Sequence, residues 1–323
     1  MKKRDYRLML KGLKLEISIF IVFIIVYGVF LIGNPRVFTN YDIYYSFMST
    51  IPFTGILALA MTFVVILGEI DLSFPSVLAF CGWIFGTVFV ISKNIWLAAL
   101  CCFSTGIAAG FLNSLLIVKI GIPSIVATIG TQFFFRGLVN VVAQGNGIAL
   151  VDAKTTIFYN LCVGRIGDEV PAQAVWFLVL GIGFWLLLKR HKFGSHVLFV
   201  GDNKDSARMM GINNDMIKTV VFVLMGVITA FVSILSNLEV TYFYPNQGQG
   251  YLLTTLAAVF IGGTSVFGGM GSMFGTFIGA LIIGSLEAGI IALGMSGFWI
   301  QLIYGAIIMV SVTIYAVMQP KKG

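Results

Sequence analysis

Tyr44-Tyr45-Ser46-Phe47-Met48-Ser49-Thr50-Ile51-Pro52-Phe53-Thr54-Gly55-Ile56-Leu57-Ala58-Leu59-Ala60-Met61-Thr62-Phe63-Val64-Val65-Ile66-Leu67 runs for 24 residues without one charged side chain. A helix rises 1.5 Å per residue, so ~20 such residues cross the ~30 Å hydrocarbon core of a bilayer. Nine more apolar segments flank this one, near 13–32, 75–92, 96–118, 123–142, 173–188, 219–237, 251–267, 273–294 and 298–318. Lipid offers no partner to an unpaired backbone group, so each segment must be helical. A barrel strand alternates apolar and polar residues, whereas these runs are continuous. The expected fold is all-α: a polytopic transmembrane helix bundle of about ten spans.

The whole chain agrees with that segment. Of 323 residues, 59% are hydrophobic and 10% charged, with a mean hydropathy of +1.00. Ordinary globular chains carry ~25% charged residues. A soluble enzyme, a disordered chain and a disulfide-rich secreted domain are all excluded. Ten spans leave only short connections, so residues 1–323 are expected to form a single transmembrane domain with no separate catalytic domain.

The net charge of +7 sits in clusters between and beyond the apolar runs. An even number of spans puts both termini on one side. With that side cytoplasmic, fifteen Lys and Arg lie inside: six from Lys2 to Lys14, Lys119, six in residues 189–218, and Lys321 and Lys322. Four lie outside (Arg36, Lys93, Lys154 and Arg165), and Arg136 falls within a span. That bias is a topology signal and not a nucleic-acid stripe. It makes 143–172 an extracytoplasmic loop and 189–218 the long cytoplasmic loop. Met1-Lys2-Lys3-Arg4 starts like a signal peptide, but Leu15–Ile32 lacks a small-residue cleavage site and reads as an uncleaved first span.

Few residues could carry chemistry. Cys81, Cys101, Cys102 and Cys162 show neither a disulfide framework nor metal spacing, and read as small hydrophobes. His191 and His196 have no Cys or carboxylate at ligand spacing, so no metal site is expected. Gly262-Gly263-Thr264-Ser265-Val266-Phe267-Gly268-Gly269-Met270-Gly271 lacks the lysine of a nucleotide loop. It suits a tight turn, or a broken helix whose freed backbone lines a cavity. Gly68-Glu69-Ile70-Asp71-Leu72-Ser73 offers two carboxylates at a span end. They suit a proton or cation site, or a cap in which Asp71 or Ser73 takes the free N–H groups of the next span; capping is favoured.

Thr128, Gln132, Arg136 and Asn140 recur every four residues, along one helix face. A charge at mid-membrane costs ~3 kcal/mol, so this face should meet protein or water. Glu287, Glu239 and Asp71 are candidate partners for Arg136, in a structural ion pair or a hydrophilic pathway. Asn113, Ser285 and Glu287 are further intramembrane polar residues, Asn113 reading as interhelical glue. Phe133-Phe134-Phe135 could stack on a sugar ring but reads better as packing. Gly106-xxx-Gly110 and Gly275-xxx-Gly279 are read as close helix packing.

Three stretches resemble one family. The first is Met61-Thr62-Phe63-Val64-Val65-Ile66-Leu67-Gly68-Glu69-Ile70-Asp71-Leu72-Ser73. The second is Phe193-Gly194 followed by Gly201-Asp202-Asn203-Lys204-Asp205-Ser206-Ala207-Arg208-Met209-Met210-Gly211-Ile212. The third is Ala257-Ala258-Val259-Phe260-Ile261-Gly262-Gly263-Thr264-Ser265, continued by Gly268-Gly269 and Gly271-Ser272-Met273-Phe274-Gly275-Thr276. In order along nearly the whole chain, they resemble the integral membrane permease of bacterial ABC importers of the ribose-type sugar class. Phe74-Pro75 departs from the family's usual V-G, and Ser206 replaces the first of two alanines.

The resemblance implies a permease and not an enzyme, in a bacterial cytoplasmic (inner) membrane. Its implied partners are a second permease protomer, a cytoplasmic ABC ATPase and an extracytoplasmic sugar-binding protein, within membrane lipid and without nucleic acid. No cofactor is implied in this chain, since ATP would be bound by the ATPase. Gly201, Asn203, Ala207, Arg208 and Gly211 are the expected ATPase-coupling residues, with a short helix from Asn203 to Met210. Asn113, Gln132, Arg136, Asn140 and Glu287 are the expected solute pathway. Gly68, Asp71, Gly262, Gly263, Gly268 and Gly269 are the expected hinge or helix break. The cargo would be a monosaccharide or related small polar solute. A nucleoside permease, or an ion-coupled transporter relaying through Glu69, Asp71, Arg136 and Glu287, is the alternative.

Overall fold

The computed structural model describes the backbone of residues 3–318 and the side chains of residues 16–310 and Thr313. Lys2, Lys321 and Lys322 of the charge count lie outside the described residues. The helices in chain order are α1 (Lys3–Gly33), α2 (Pro35–Phe38), α3 (Tyr41–Ile66), α4 (Phe74–Ser92), α5 (Ile95–Ser114), α6 (Ser124–Ala143), α7 (Ile157–Val163), α8 (Ala172–Arg190), α9 (Lys192–Asp202), α10 (Lys204–Met209), α11 (Asn214–Val240), α12 (Tyr251–Ile261), α13 (Met273–Ala292) and α14 (Phe298–Met318). A π-helical turn, Leu115–Lys119, extends α5.

Among the described residues, eight helices are long and apolar enough to cross a membrane: α1, α3, α4, α5 with its extension, α6, α8, α11 and α13. Tyr251–Ile261 and Phe298–Val310 are shorter apolar helices. All ten apolar segments are thus helical. Asparagine punctuates them: the side chains of Asn34, Asn40, Asn94 and Asn213 each accept from backbone N–H groups of the turn they start. Such caps satisfy donors that the helix itself cannot.

Two expectations shift. Residues 251–267 read as one span, but the helix stops at Ile261, where Gly263 takes a φ of +83°. The sheet content is small but present: Ile148–Ala149 pairs antiparallel with Tyr242–Phe243, and Arg165–Ile166 with Val170–Pro171. The first pair ties segment 143–172 to the end of α11, and Phe243 is fully buried with Ala79, Val139 and Ala143.

The helices fall into two compact units. The first holds α1 to α3, the part of α8 from Leu180, α9, α12 from Leu253, α13 and α14. There α13 packs on α3, α1 and α14. Gly275 and Gly279 face the backbone of Gly262 and Ala258, so this small-residue pair seats α13 on α12. The hydroxyls of Thr62 and Thr276 meet at 2.8 Å. Glu16 ties helix ends together, 3.5 Å from Lys189 and 3.0 Å from the Ser272 hydroxyl.

The second unit spans Glu69–Val179 and Asn203–Leu252. In it α4, α5 and α11 pack on one another, and α6 lies on α4. Gly106 and Gly110 face the backbone of Gly226 and Phe222. Close backbone approach is what small residues permit where lipid supplies no hydrophobic drive between helices.

Candidate functional site

Within the second unit, residues 69–73 are the hub of a buried polar network. The Asp71 carboxylate, 3% exposed, accepts from the Ser73 amide at 2.7 Å and the Ser73 hydroxyl at 2.6 Å. It also accepts from the amide of Phe74, at the start of α4. Asp71 therefore caps α4, as expected of the pair, and Ser73 does not. Burial raises the Asp71 pKa from its ordinary value, against those lowering hydrogen bonds.

Asn113 joins this hub, donating to the Ser73 hydroxyl at 2.8 Å and accepting from Thr131 at 2.7 Å. Thr128 donates to the Ile70 carbonyl at 3.3 Å, and Ser124 accepts from the Ile70 amide at 3.2 Å. The segment is thereby sewn to α5 and α6. Asn113 is helix glue as expected, and it is not open to a solute in this structure.

Glu69 has a different role. Its carboxylate accepts from Lys218 on α11, and Lys204 on α10 stands 3.4 Å away. Burial alone would raise its pKa. The hydrogen bond and charge of Lys218, the Ser124 hydroxyl and the charge of Lys204 outweigh it and hold the carboxyl below its ordinary range.

The polar stripe on α6 divides. Thr128 is buried in the hub, Gln132 and Arg136 are half-buried, and Asn140 is exposed. None of the carboxylates offered by the sequence takes Arg136. Its guanidinium donates to the carbonyls of Pro245 at 2.7 Å, Pro75 at 3.3 Å and Gln247 at 3.3 Å. Glu239 instead pairs with Arg165 at 2.6 Å, Asp71 with Ser73, and Glu287 is exposed on α13. The reason is backbone accounting. Residues 244–250 interrupt the helix before α12, and their freed carbonyls need donors. Arg136→Ala is expected to cost about 2–3 kcal/mol through unmade hydrogen bonds. It should also open residues 244–250 to limited proteolysis in detergent; an unchanged melting temperature and digest would contradict this.

The motif glycines converge within the first unit. The Gly269 amide donates to the Ile66 carbonyl at 2.8 Å. A Cβ on Gly201 would overlap that same carbonyl oxygen and lie 2.8 Å from the Gly269 amide. Gly68 and Gly268 have positive φ here, +73° and +82°. Gly262 has a close-packing role, since a Cβ there would be 2.5 Å from the Thr276 backbone. Gly68, Gly268 and Gly269 thus form a tight turn against which half-buried Gly201 packs, while Asp71 of the expected hinge set lies in the polar hub of the second unit.

The other residues expected to couple to an ATPase lie on and beside α10, a short helix that forms where the sequence predicts one. Asn203 caps it, accepting from the Ser206 amide at 2.9 Å. Ala207 is buried, and Arg208 and Gly211 are exposed. A cleft of about 580 Å³ opens beside it, lined by Lys204, Arg208, Asn213, Asp215 and Lys218 among others. Two residues escaped sequence reasoning. Met209 and Met210 are 83% and 56% exposed. Two adjacent methionines in the polar segment 189–218 were the available signal, since flexible thioethers suit an adaptable protein contact.

Comparison with known proteins agrees with this layout. Residues 43–312 match the family described as branched-chain amino acid transport system, permease component. The ribose import permease protein RbsC of Escherichia coli K12 is 30% identical over 286 residues, 87% of each chain. The L-arabinose ABC transporter permease protein AraH of Azospirillum brasilense is 29% identical over 297 residues, 91% of this chain and 86% of its own. The autoinducer 2 import system permease protein LsrD of Klebsiella pneumoniae is 31% identical over 290 residues, 86% and 84%. This chain belongs to the branched-chain amino acid transport system permease component family, and is a multi-pass inner-membrane permease and not an enzyme.

Proposed function

We propose that this permease forms the solute pathway of an ATP-driven sugar importer, for a monosaccharide or a related small polyol. The observation that carries the reading is the cytoplasmic element around α10. It offers exposed Met209 and Met210 beside Arg208, next to a polar cleft, and none of the described residues covers them. A separate cytoplasmic ATPase fits that surface, and it would hold the ATP. The relatives are named for ribose import, L-arabinose transport and autoinducer 2 import, which favours a sugar over a branched-chain amino acid despite the family's name.

Two further partners belong to the proposal. An extracytoplasmic sugar-binding protein would deliver the solute. A second permease protomer, identical or related, would cover the face of α13 that exposes Glu287. A carboxylate facing lipid costs ~3 kcal/mol, so that face should meet protein or water.

ATP dependence tests the reading against an ion-coupled transporter. Uptake of labelled D-ribose or L-arabinose should survive an uncoupler while ATP is held constant, and should stop when ATP is depleted with the membrane potential maintained. The opposite pattern, or uptake of leucine alone, would contradict it. Met209→Asp with Met210→Asp should reduce uptake at least tenfold while the chain still inserts at normal levels. Wild-type uptake in that variant would remove the docking assignment.

A further inference from the structure

Asn237 on α11 is 0% exposed, yet neither its amide nitrogen nor its amide oxygen has a hydrogen-bond partner. Gln247, 1% exposed, has an unpartnered side-chain oxygen, while its nitrogen donates to the Ser236 hydroxyl. Each buried, unmade hydrogen bond costs ~1–3 kcal/mol. The groups are not scattered. A Cβ built on Gly82 of α4 would lie 2.6 Å from Asn237 Nδ2, 2.8 Å from Gln247 Oε1 and 2.9 Å from Ser233 Oγ. Three polar side chains thus converge on Gly82, one of the two glycines of α4.

The surroundings define what this cluster suits. Its members are neutral amides and hydroxyls that both donate and accept, with no carboxylate among them. A cation would call for a carboxylate, and an anion for a free positive charge. Arg136, the basic residue beside Gln247, directs three of its five N–H donors to backbone carbonyls. A neutral hydroxyl group, donor and acceptor at once, matches the set. Gln247 lies on residues 244–250, which interrupt the helix before α12. The 11 residues of α12 reach ~16 Å, half of a bilayer core. Interrupted spans are where transporters bind solute, because freed polar groups line the path.

We infer that Asn237, Gln247 and Ser233 form a solute-contact site, closed against Gly82 in this structure, that takes hydroxyl groups of the polyhydroxylated solute. The inference rests on the sugar-importer reading above. The Ser233 hydroxyl donates to the Leu78 carbonyl at 2.7 Å and keeps its accepting lone pairs, whereas the Asn237 amide and the Gln247 oxygen stand without partners, the cost of a closed state until the solute arrives. Gly82 is the lid, since any larger residue would fill the site.

The test separates function from stability in the assembled importer. Asn237→Leu and Gln247→Met each replace an amide by an apolar side chain of similar size. Removing the unpaired Asn237 amide should leave the melting temperature equal or higher, and removing the half-paired Gln247 amide should change it little, while uptake of labelled D-ribose and L-arabinose at limiting concentration falls at least tenfold in both. Two variants guard against a folding defect in either one. Uptake within twofold of wild type would overturn the inference and leave a structural water site or an inert amide pair. A large fall in melting temperature in both variants would also overturn it, by showing that the amides are paired within the fold. If the wild-type importer takes up neither sugar, the sugar reading fails first and the inference with it.

Discussion

Gly201→Ala should destabilise the chain by about 3 kcal/mol or more, the upper range for overpacking a closed site. The added methyl overlaps the Ile66 carbonyl oxygen and crowds the Gly269 amide. Neither atom can yield, because these two groups hydrogen-bond each other at 2.8 Å. Fixed backbone gives less than a flexible side chain would. Gly211→Ala is the comparison: Gly211 is exposed, with nothing within 4 Å of an added Cβ, though its φ is +80°. That variant should cost about 1 kcal/mol from backbone strain alone. Membrane yield and melting temperature in mild detergent check both. A Gly201→Ala chain as stable as wild type would show that the three motif stretches do not pack as described.

Loss of Lys218 is the second large effect. Its side chain is 13% exposed and that of Glu69 10%, whereas Lys204 is 54% exposed. Lys218→Met strands a buried carboxylate, and breaking such a pair costs about 3–5 kcal/mol. Lys204→Met removes a solvent-screened partner and should cost under ~1 kcal/mol. Adding Glu69→Gln to Lys218→Met should recover most of the loss, since no buried charge is then unpaired. A double variant as unstable as the single one would remove the pair from the account.

The same pair sets a pH dependence. Folding holds the Glu69 carboxyl below its ordinary range, so its ionised form is favoured in the folded state. The contribution is full above the ordinary glutamate value of about 4.3 and is lost as pH falls through the folded value. Melting temperature should therefore hold from neutral pH down to about 5 and fall below about 4. Glu69→Gln should flatten that acid limb.

Most of the fold was legible because lipid leaves the chain few choices. Ten continuous apolar runs had to be helices, and their asparagine and glycine punctuation marks the ends. α10 was readable from Asn203 followed by Lys204, Asp205 and Ser206. The exception is residues 241–261. Hydropathy sees Tyr251–Phe267 as one run, but Gly262 and Gly263 end the helix early. The non-helical Tyr244–Gly250 folds in so that Gln247 is buried.

The site was less legible, for a physical reason. Helical spacing put Thr128, Gln132, Arg136 and Asn140 on one face, but the structure divides them from buried Thr128 to exposed Asn140, and spacing within one helix cannot reveal partners on other segments. Arg136 answers to carbonyls 61 to 111 residues away, which carry no side-chain signature. Gly201 was read as a docking residue because it lies in the coupling motif; its packing against Ile66 appears only in three dimensions. Asn237 looks ordinary in sequence, and only its lack of a partner draws notice.

Co-purification from the native membrane tests the central claim most directly. The tagged chain would be extracted gently and everything that accompanies it identified by mass spectrometry. The account predicts an ATPase subunit with nucleotide-binding motifs, retained by the wild-type chain and lost with Met209→Asp and Met210→Asp. A chain that comes away without any ATPase, under conditions that preserve other transporter complexes, would contradict it.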